Sequence, residues 1–351
     1  MDLSSLFTIT SSKTNKENDE NTYENNRPSR NYLVNPYTLL GFPDEITNLR
    51  EFIQFAYYYQ GDLIDSQKLK NIIPYLEELD DMIGMEKLKN SIVDTIMYFT
   101  QGLFDKNEDY LHSVIYGPPG TGKTHVGKIL ANIYSGLGIL KTNKFHIIKR
   151  TDLVGKYLGH TAPKTKNKLE SCLGGVVFID EAYSLASNDN DRGGDSFSKE
   201  AIDVINEFLS EHKNDIVMII AGYEEELNKT FFAVNPGLKR RFPWAYTIDK
   251  YTNEEMIHIF YTILHRMGWT MDKNTIDEDF FEENKDLFKH YGGDIETFLT
   301  KCKFSHIRRI YGKEKCKRHL NKKDIELALQ KQKQHGKDKK EKSKVPFGIY
   351  T

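Results

Sequence analysis

Apolar and polar positions follow two rhythms along this chain. Short apolar runs recur at residues 112–116, 144–149, 175–180, 215–221 and 246–249 and read as buried strands. Between them, apolar residues return at helical spacing over 86–100, 123–135, 163–172, 198–211 and 224–230. In the second of these stretches the repeat is Val126, Ile129, Leu130 and Ile133. Strand and helix therefore alternate across residues 76–250. That predicts an α/β fold, a parallel sheet covered on both faces. Residues 251–332 change rhythm and read as a small helical domain. Met256, Ile257, Ile259, Phe260 and Ile263 line one helix, which Asn253 would cap. Asn321 would cap the last helix, ahead of Ile325, Leu327 and Leu329.

The ends of the chain differ from this middle. Residues 1–31 read as disordered, because Thr10 to Asn31 hold almost no apolar side chain. Residues 32–75 read as a short helical region. Two candidate helices, 45–59 and 68–80, are a docking surface or a prop for the rest, and the sequence leaves both readings open. Residues 333–351 read as a basic tail. Its Lys-rich part, 333–344, is a solvated segment or a nucleic-acid contact.

The candidate chemistry lies in the alternating region. Gly117-Pro118-Pro119-Gly120-Thr121-Gly122-Lys123-Thr124 fits the phosphate-loop pattern without a mismatch, between a predicted strand and a predicted helix. Its glycines let backbone amides turn inward around an anion, and the following helix adds its positive end. Lys123 would reach the terminal phosphates of a nucleotide and Thr124 would ligate Mg²⁺. Downstream, Val176-Val177-Phe178-Ile179 runs into Asp180 and Glu181. This fits a buried strand that delivers two carboxylates to the ligand-binding end of an open sheet. Asp180 would hold Mg²⁺, and Glu181 would polarise an attacking water. The alternative is an acidic strand end that caps the next helix.

Composition narrows the surroundings. The 351 residues carry 49 Lys and Arg against 51 Asp and Glu, a net charge of −2, so no global field favours nucleic acid. Cys172, Cys302 and Cys316 have no metal-binding spacing and point to free thiols in the cytoplasm or another reducing compartment. The first residues lack a secretory leader pattern, and no apolar stretch is as long as a membrane span.

The order of phosphate loop, Asp180-Glu181 and a late arginine pair resembles an AAA+ ATPase. More narrowly, it resembles the CfxQ/CbbX-type group, which includes red-type Rubisco activase and stage V sporulation protein K. Four stretches carry the likeness: Asp152 to Thr165, Gly175 to Tyr183, Ile220 to Tyr223, and Phe231-Phe232 with Asn235 to Leu238 and Arg240-Arg241-Phe242. The resemblance spans about residues 80–332. It implies a P-loop core with a five-stranded parallel sheet, a helical lid, ATP and Mg²⁺ as ligands, and a ring of identical subunits, expected to be a hexamer. It implies that Ile83 and Gly84 pack on adenine and that Tyr157 lies on a pore loop gripping a polypeptide client. It also implies that Arg241, or else Arg240, is a finger completing a neighbour's site. Two departures stand out. Gly222-Tyr223 replaces the Asn or Thr that many AAA+ proteins use to orient water. Gly292-Gly293-Asp294-Ile295 lacks the lid arginine, for which Lys301 and Lys303 are the candidate substitutes.

A GTPase is excluded by order. Asp81-Met82-Ile83-Gly84 precedes the phosphate loop, and Asn321-Lys322-Lys323-Asp324 sits at a predicted helix start. The expected activity is ATP hydrolysis coupled to remodelling of a protein. A nucleic-acid motor drawing on Lys149, Arg150, Lys156, Lys164, Lys166 and Lys168 is the alternative, as is a nucleotide-switch scaffold.

Overall fold

The computed structural model describes residues 45–186, 194–272, 275–313 and 317–342. The expected disordered segment 1–31 and the end of the basic tail lie outside the described residues.

Three helices come first: α1 (Leu49–Tyr58), α2 (Ser66–Asp80) and α3 (Glu86–Thr100). Asn48 caps α1 by accepting from the Glu51 amide, and Asp65 caps α2 by accepting from Gln67 and Lys68. The nucleotide-binding core follows as β1 (Ser113–Tyr116), α4 (Lys123–Gly136), β2 (Phe145–Ile147), α5 (Arg150–Leu153), α6 (Thr161–Glu170) and β3 (Val176–Ile179). It continues through a 3-10 turn at Ala182–Ala186, then α7 (Gly194–Glu211), β4 (Val217–Gly222), α8 (Glu224–Lys229), α9 (Phe231–Val234), α10 (Pro236–Lys239) and β5 (Trp244–Thr247).

The strands form one five-stranded sheet in the order β2-β3-β4-β1-β5, with every pair parallel. Alternate residues serve opposite faces, as strand geometry requires. Ile115, Phe178, Ile219 and Ala221 join the core beneath α1–α4, whereas Val114, Val177, Ile179 and Ile220 join the core beneath α7. Leu49, Phe52 and Ile53 of α1 and Leu69, Ile72 and Leu76 of α2 belong to the first core. The apolar faces of the leading helices are thus used internally, which favours the prop over the docking surface.

The lid contains α11 (Asn253–Arg266), β6 (Thr270–Met271), α12 (Glu278–Glu283), α13 (Gly292–Ile310), β7 (His319–Leu320) and α14 (Lys322–Lys342), around its own core of Phe260, Phe281, Phe298 and Leu299. β6 and β7 pair in parallel, a small sheet not among the elements expected of this mostly helical region. The cap of α11 is Thr252 rather than Asn253. Thr252 Oγ1 accepts from the Glu255 amide and Glu255 Oε2 accepts from the Thr252 amide, a reciprocal box that Asn253 would forgo. Asn321 caps α14 as expected, accepting from the Asp324 amide at 3.1 Å. That helix continues to Lys342, through residues whose lack of apolar side chains suggested a tail. Lys, Gln and Glu are good helix formers without any burial.

Candidate active site

The phosphate loop emerges from β1 at the carboxyl end of the sheet, where ligands of open α/β sheets bind. Gly120 and Gly122 have φ of 75° and 90°, a region that side chains rarely enter. Thr121 Oγ1 donates to the Pro118 carbonyl at 2.8 Å and braces the turn. Lys123 Nζ donates to the carbonyls of Gly117 at 3.1 Å and Pro118 at 2.8 Å. Lys123 is buried, and that burial lowers its ammonium pKa, with Asp180 and Glu181 pulling the other way. A buried cation resting only on carbonyls fits a polyphosphate, whose oxygens are stronger acceptors.

Thr124 Oγ1 donates to Asp180 Oδ2 at 3.2 Å, so the hydroxyl and the carboxylate meet as hard oxygen donors suited to Mg²⁺. Asp180 Oδ1 accepts from the Glu181 amide at 3.0 Å, and Glu181 is held at φ 49°. The two carboxylates are exposed at the end of β3, as the sequence predicts.

Two segments close the site from outside the loop. Residues 82–85 run past it. A Cβ on Gly122 would lie 3.3 Å from Met82 Cε and 3.9 Å from Met85 Cε. Met82 packs with the sheet core and Ile83 with the lid core, so the segment expected at adenine spans both. Gly84, at φ 66°, abuts the Glu255 carboxylate of α11. From the other side, the start of α13 meets the loop backbone to backbone. A side chain at Gly120 would run into the His290 carbonyl, and the Gly120 carbonyl lies 3.3 Å from the Cβ position of Gly292. Tyr251, between β5 and the lid, donates its hydroxyl to the Thr121 carbonyl at 3.1 Å. Its ring packs edge-on against Tyr291 at 5.3 Å. Of the lysines considered for the missing lid arginine, Lys303 is used elsewhere, on Met267 Sδ and over the Trp269 ring.

Tyr157 is 68% exposed and Leu158 is 82% exposed, at the tip of the loop between α5 and α6. The base of that loop is fixed. The Gly155 amide donates to Thr161 Oγ1 at 3.1 Å, and Lys164 Nζ donates to the carbonyls of Thr151 and Val154. Thr165 Oγ1 donates to the Leu153 carbonyl, and Arg150 Nη2 donates to Ser198 Oγ of α7.

Arg240 and Arg241 precede β5 at the opposite end of the sheet from their own phosphate loop. Arg240 is exposed. Arg241 is held within its own chain: Nε and Nη2 donate to Ser210 Oγ at 2.8 and 2.6 Å, and Nη1 donates to the Gly237 carbonyl at 2.7 Å. Its guanidinium also lies over the Tyr110 ring at 5.8 Å. Sequence reasoning missed these restraints and the tyrosines of the cleft. The one local signal was for Tyr183, two residues beyond Glu181, whose ring lies 6.5 Å from that of Tyr223.

A phosphate loop and a carboxylate pair on a parallel sheet, roofed by a helical lid, define a P-loop ATPase. Residues 113–242 match the ATPase family associated with various cellular activities (AAA). A cfxQ-like protein of Acanthamoeba polyphaga mimivirus is 39% identical over 281 residues, covering 76% of this chain and 68% of that protein. Stage V sporulation protein K of Bacillus subtilis is 33% identical over 72% of this chain and 76% of its own length. The chloroplastic ribulose bisphosphate carboxylase/oxygenase activase of Cyanidioschyzon merolae is 37% identical over 58% of this chain and 71% of its own length. The chain belongs to the CfxQ/CbbX-type AAA+ ATPases. Among the described residues, no helix is long and apolar enough to cross a membrane.

Proposed function

We propose that this ATPase works as a ring of identical subunits, expected to be a hexamer, that remodels a protein client by moving Tyr157 against it. The observation that carries this reading is the pinned loop with an exposed aromatic and aliphatic tip. Exposed apolar side chains on a fixed base suit contact with an extended polypeptide, because a ring wedges against side chains of any kind. The relative named as an activase of ribulose bisphosphate carboxylase/oxygenase supports a protein as the client class.

Thr124 and Asp180 would hold Mg²⁺, which would neutralise phosphate charge when bound. Lys123 and the backbone N–H groups of Gly120 to Thr124 bind the phosphates of ATP, Gly117, Pro118 and Pro119 shaping the turn, and Ile83 and Gly84 flank the base. Glu181 is the general base for the attacking water. The arginine pair stands far from its own phosphate loop, which supports a finger supplied by the neighbouring subunit; Arg241 is the candidate and Arg240 the other. The nucleic-acid reading is the weaker one, since Lys164 and Arg150 already serve the base of the loop.

The test is the ATPase rate per subunit against protein concentration, with unfolded polypeptide or single-stranded DNA added. The expected result is a rate that rises with concentration and responds to polypeptide alone. A response to DNA alone would overturn the protein-client reading, and a rate independent of concentration would overturn the ring.

A further inference from the structure

The near-neutral charge of the whole chain conceals a segregation. Residues 301–344 hold 17 of the 49 Lys and Arg but only 5 of the 51 Asp and Glu, so the rest of the chain carries 32 against 46. Part of this basic stretch forms a described surface at the far end of α13. Phe304 stands about 18 Å along that helix from Gly292, which abuts the phosphate loop. Phe304, Ile307 and Tyr311 are 64%, 41% and 81% exposed. Their spacing of three and four residues sets them on one face, opposite the buried Phe298, Cys302 and His306. The stripe therefore faces away from the core of its own lid.

Six exposed cations share this end of the lid: Arg308, Lys313, Lys317, Arg318, Lys322 and Lys323. Two contacts hold their segments against the last turns of α13. His306 Nε2 donates to the Lys317 carbonyl at 2.8 Å, and Arg309 Nε donates to Asp324 Oδ1 at 2.9 Å. Among the described residues none of the six is in an ion pair. Elsewhere in the lid, Arg266, Lys285 and Lys289 pair with Glu296, Glu282 and Asp286. Between residues 304 and 330, Glu326 is the one exposed carboxylate among the described residues. Unpaired cations beside exposed rings are complementary to a polyanion that also carries flat apolar groups.

The composition selects among polyanions. The centre of a protein interface is depleted of Lys, and four of these six cations are Lys. A lipid surface needs a broad apolar face to enter it, and here the opposite face of α13 is spent on the lid core. A duplex hides its bases in the stack, whereas a single strand offers them to aromatic side chains. We infer that the end of α13 and the start of α14 form a binding surface for single-stranded nucleic acid. Bases stack on Phe304 and Tyr311, and phosphates lie along the six cations. The surface is remote from the phosphate loop and from Tyr157, so it tethers the ATPase to a strand without driving hydrolysis, and the protein-client reading stands beside it.

The experiment is fluorescence anisotropy of labelled single strands of about 30 nucleotides, DNA and RNA in separate arms, with the full-length chain. Binding is expected in at least one arm, with Kd rising about 10²-fold between about 50 and 200 mM salt, as for about five neutralised phosphates. Phe304→Ala/Tyr311→Ala should weaken binding about 10²-fold, about tenfold for each stacked base, and Phe304→Trp/Tyr311→Trp should retain it. Lys322→Gln/Lys323→Gln should make the dependence of log Kd on log salt shallower by about 1.4. The thermal midpoint, the elution volume on gel filtration and the ATPase rate should match the parent in all three variants, since every substituted side chain is exposed. No binding at about 50 mM salt in either arm would overturn the inference. So would an unchanged Kd in Phe304→Ala/Tyr311→Ala, or equal affinity for a duplex of the same length, because either result removes the stacking. Tighter binding to phosphatidylserine vesicles than to either strand would overturn it in favour of a lipid surface. A loss of assembly in Phe304→Ala/Tyr311→Ala on gel filtration would overturn it in favour of a contact between copies of the chain.

Discussion

His112 sits at the start of β1 with no exposure, its ring 5.7 Å from those of Tyr110 and Phe242. Its Nδ1 accepts from the Met218 amide at 3.2 Å. Burial lowers its pKa to about 3, opposed by a backbone hydrogen bond at Leu209 and reinforced by the charge of Arg241. In the unfolded chain the same imidazole titrates near 6.5. The unfolded state therefore binds more protons between those values. The neutral histidine's contribution is complete above about pH 6.5 and is lost as pH falls toward 3, by roughly 1.4 kcal/mol per pH unit. Urea unfolding should give a lower free energy at about pH 5 than at about pH 7.5. His112→Asn keeps an acceptor and cannot charge, so it should flatten that slope. At this scale the phosphate loop and Asp180-Glu181 were legible because one backbone conformation needs its residue types in an unbroken run. Tyr183, Tyr223, Tyr251 and Tyr291 were not. They reach one cleft from four separate segments, and in the sequence each reads as an ordinary partly buried ring.

Among the elements, α7 links the loop proposed to grip the client and the arginine proposed to act on the neighbouring subunit. Ser198 and Glu200 near its start hold Arg150 and the Ala162 amide, on either side of the Tyr157 loop. Asp203 and Ser210 further along hold Asn235 and Arg241. Replacing Arg241 should therefore do two things at once. Arg241→Ala is expected to cut turnover by about 10³-fold if the finger is supplied in trans, a typical worth for such a group. It should also lower the thermal midpoint by a few degrees, because three hydrogen bonds and the contact with Tyr110 are lost. Arg240→Ala leaves the midpoint unchanged, since that side chain is exposed. Calorimetry of the two variants separates the tied arginine from the free one. The long core elements were legible from their rhythm: the helix predicted over 86–100 is Glu86–Thr100. The pair β6 and β7, two residues each, was too short to impose a period.

Over the whole molecule, the leading helices decide where the folding unit begins. Phe52, Ile53, Leu69, Ile72, Leu76 and Leu79 are each at most 1% exposed, in the same core as the central strand. Each such side chain contributes roughly 1.5–3 kcal/mol on burial, against a total stability of about 5–15 kcal/mol for a typical domain. Removing residues 1–80 should therefore leave a chain that aggregates or fails to show a cooperative melt, as circular dichroism and gel filtration would report. A folded product of full stability would mean that the helices merely rest on the core. The sequence left this open because an amphipathic helix presents the same pattern whether its apolar face meets its own chain or another.

The seat of the lid on Gly120 sets a rule for traffic. With the His290 carbonyl and the Gly120 backbone in direct apposition, roof and loop meet at that point through main chain, which cannot swing aside as a rotating side chain can. Parting them there takes movement of lid backbone rather than rotation of one side chain. Nucleotide exchange that needs such a movement should carry the friction of a large object moving through solvent, and turnover should then slow as the viscosity of the medium is raised.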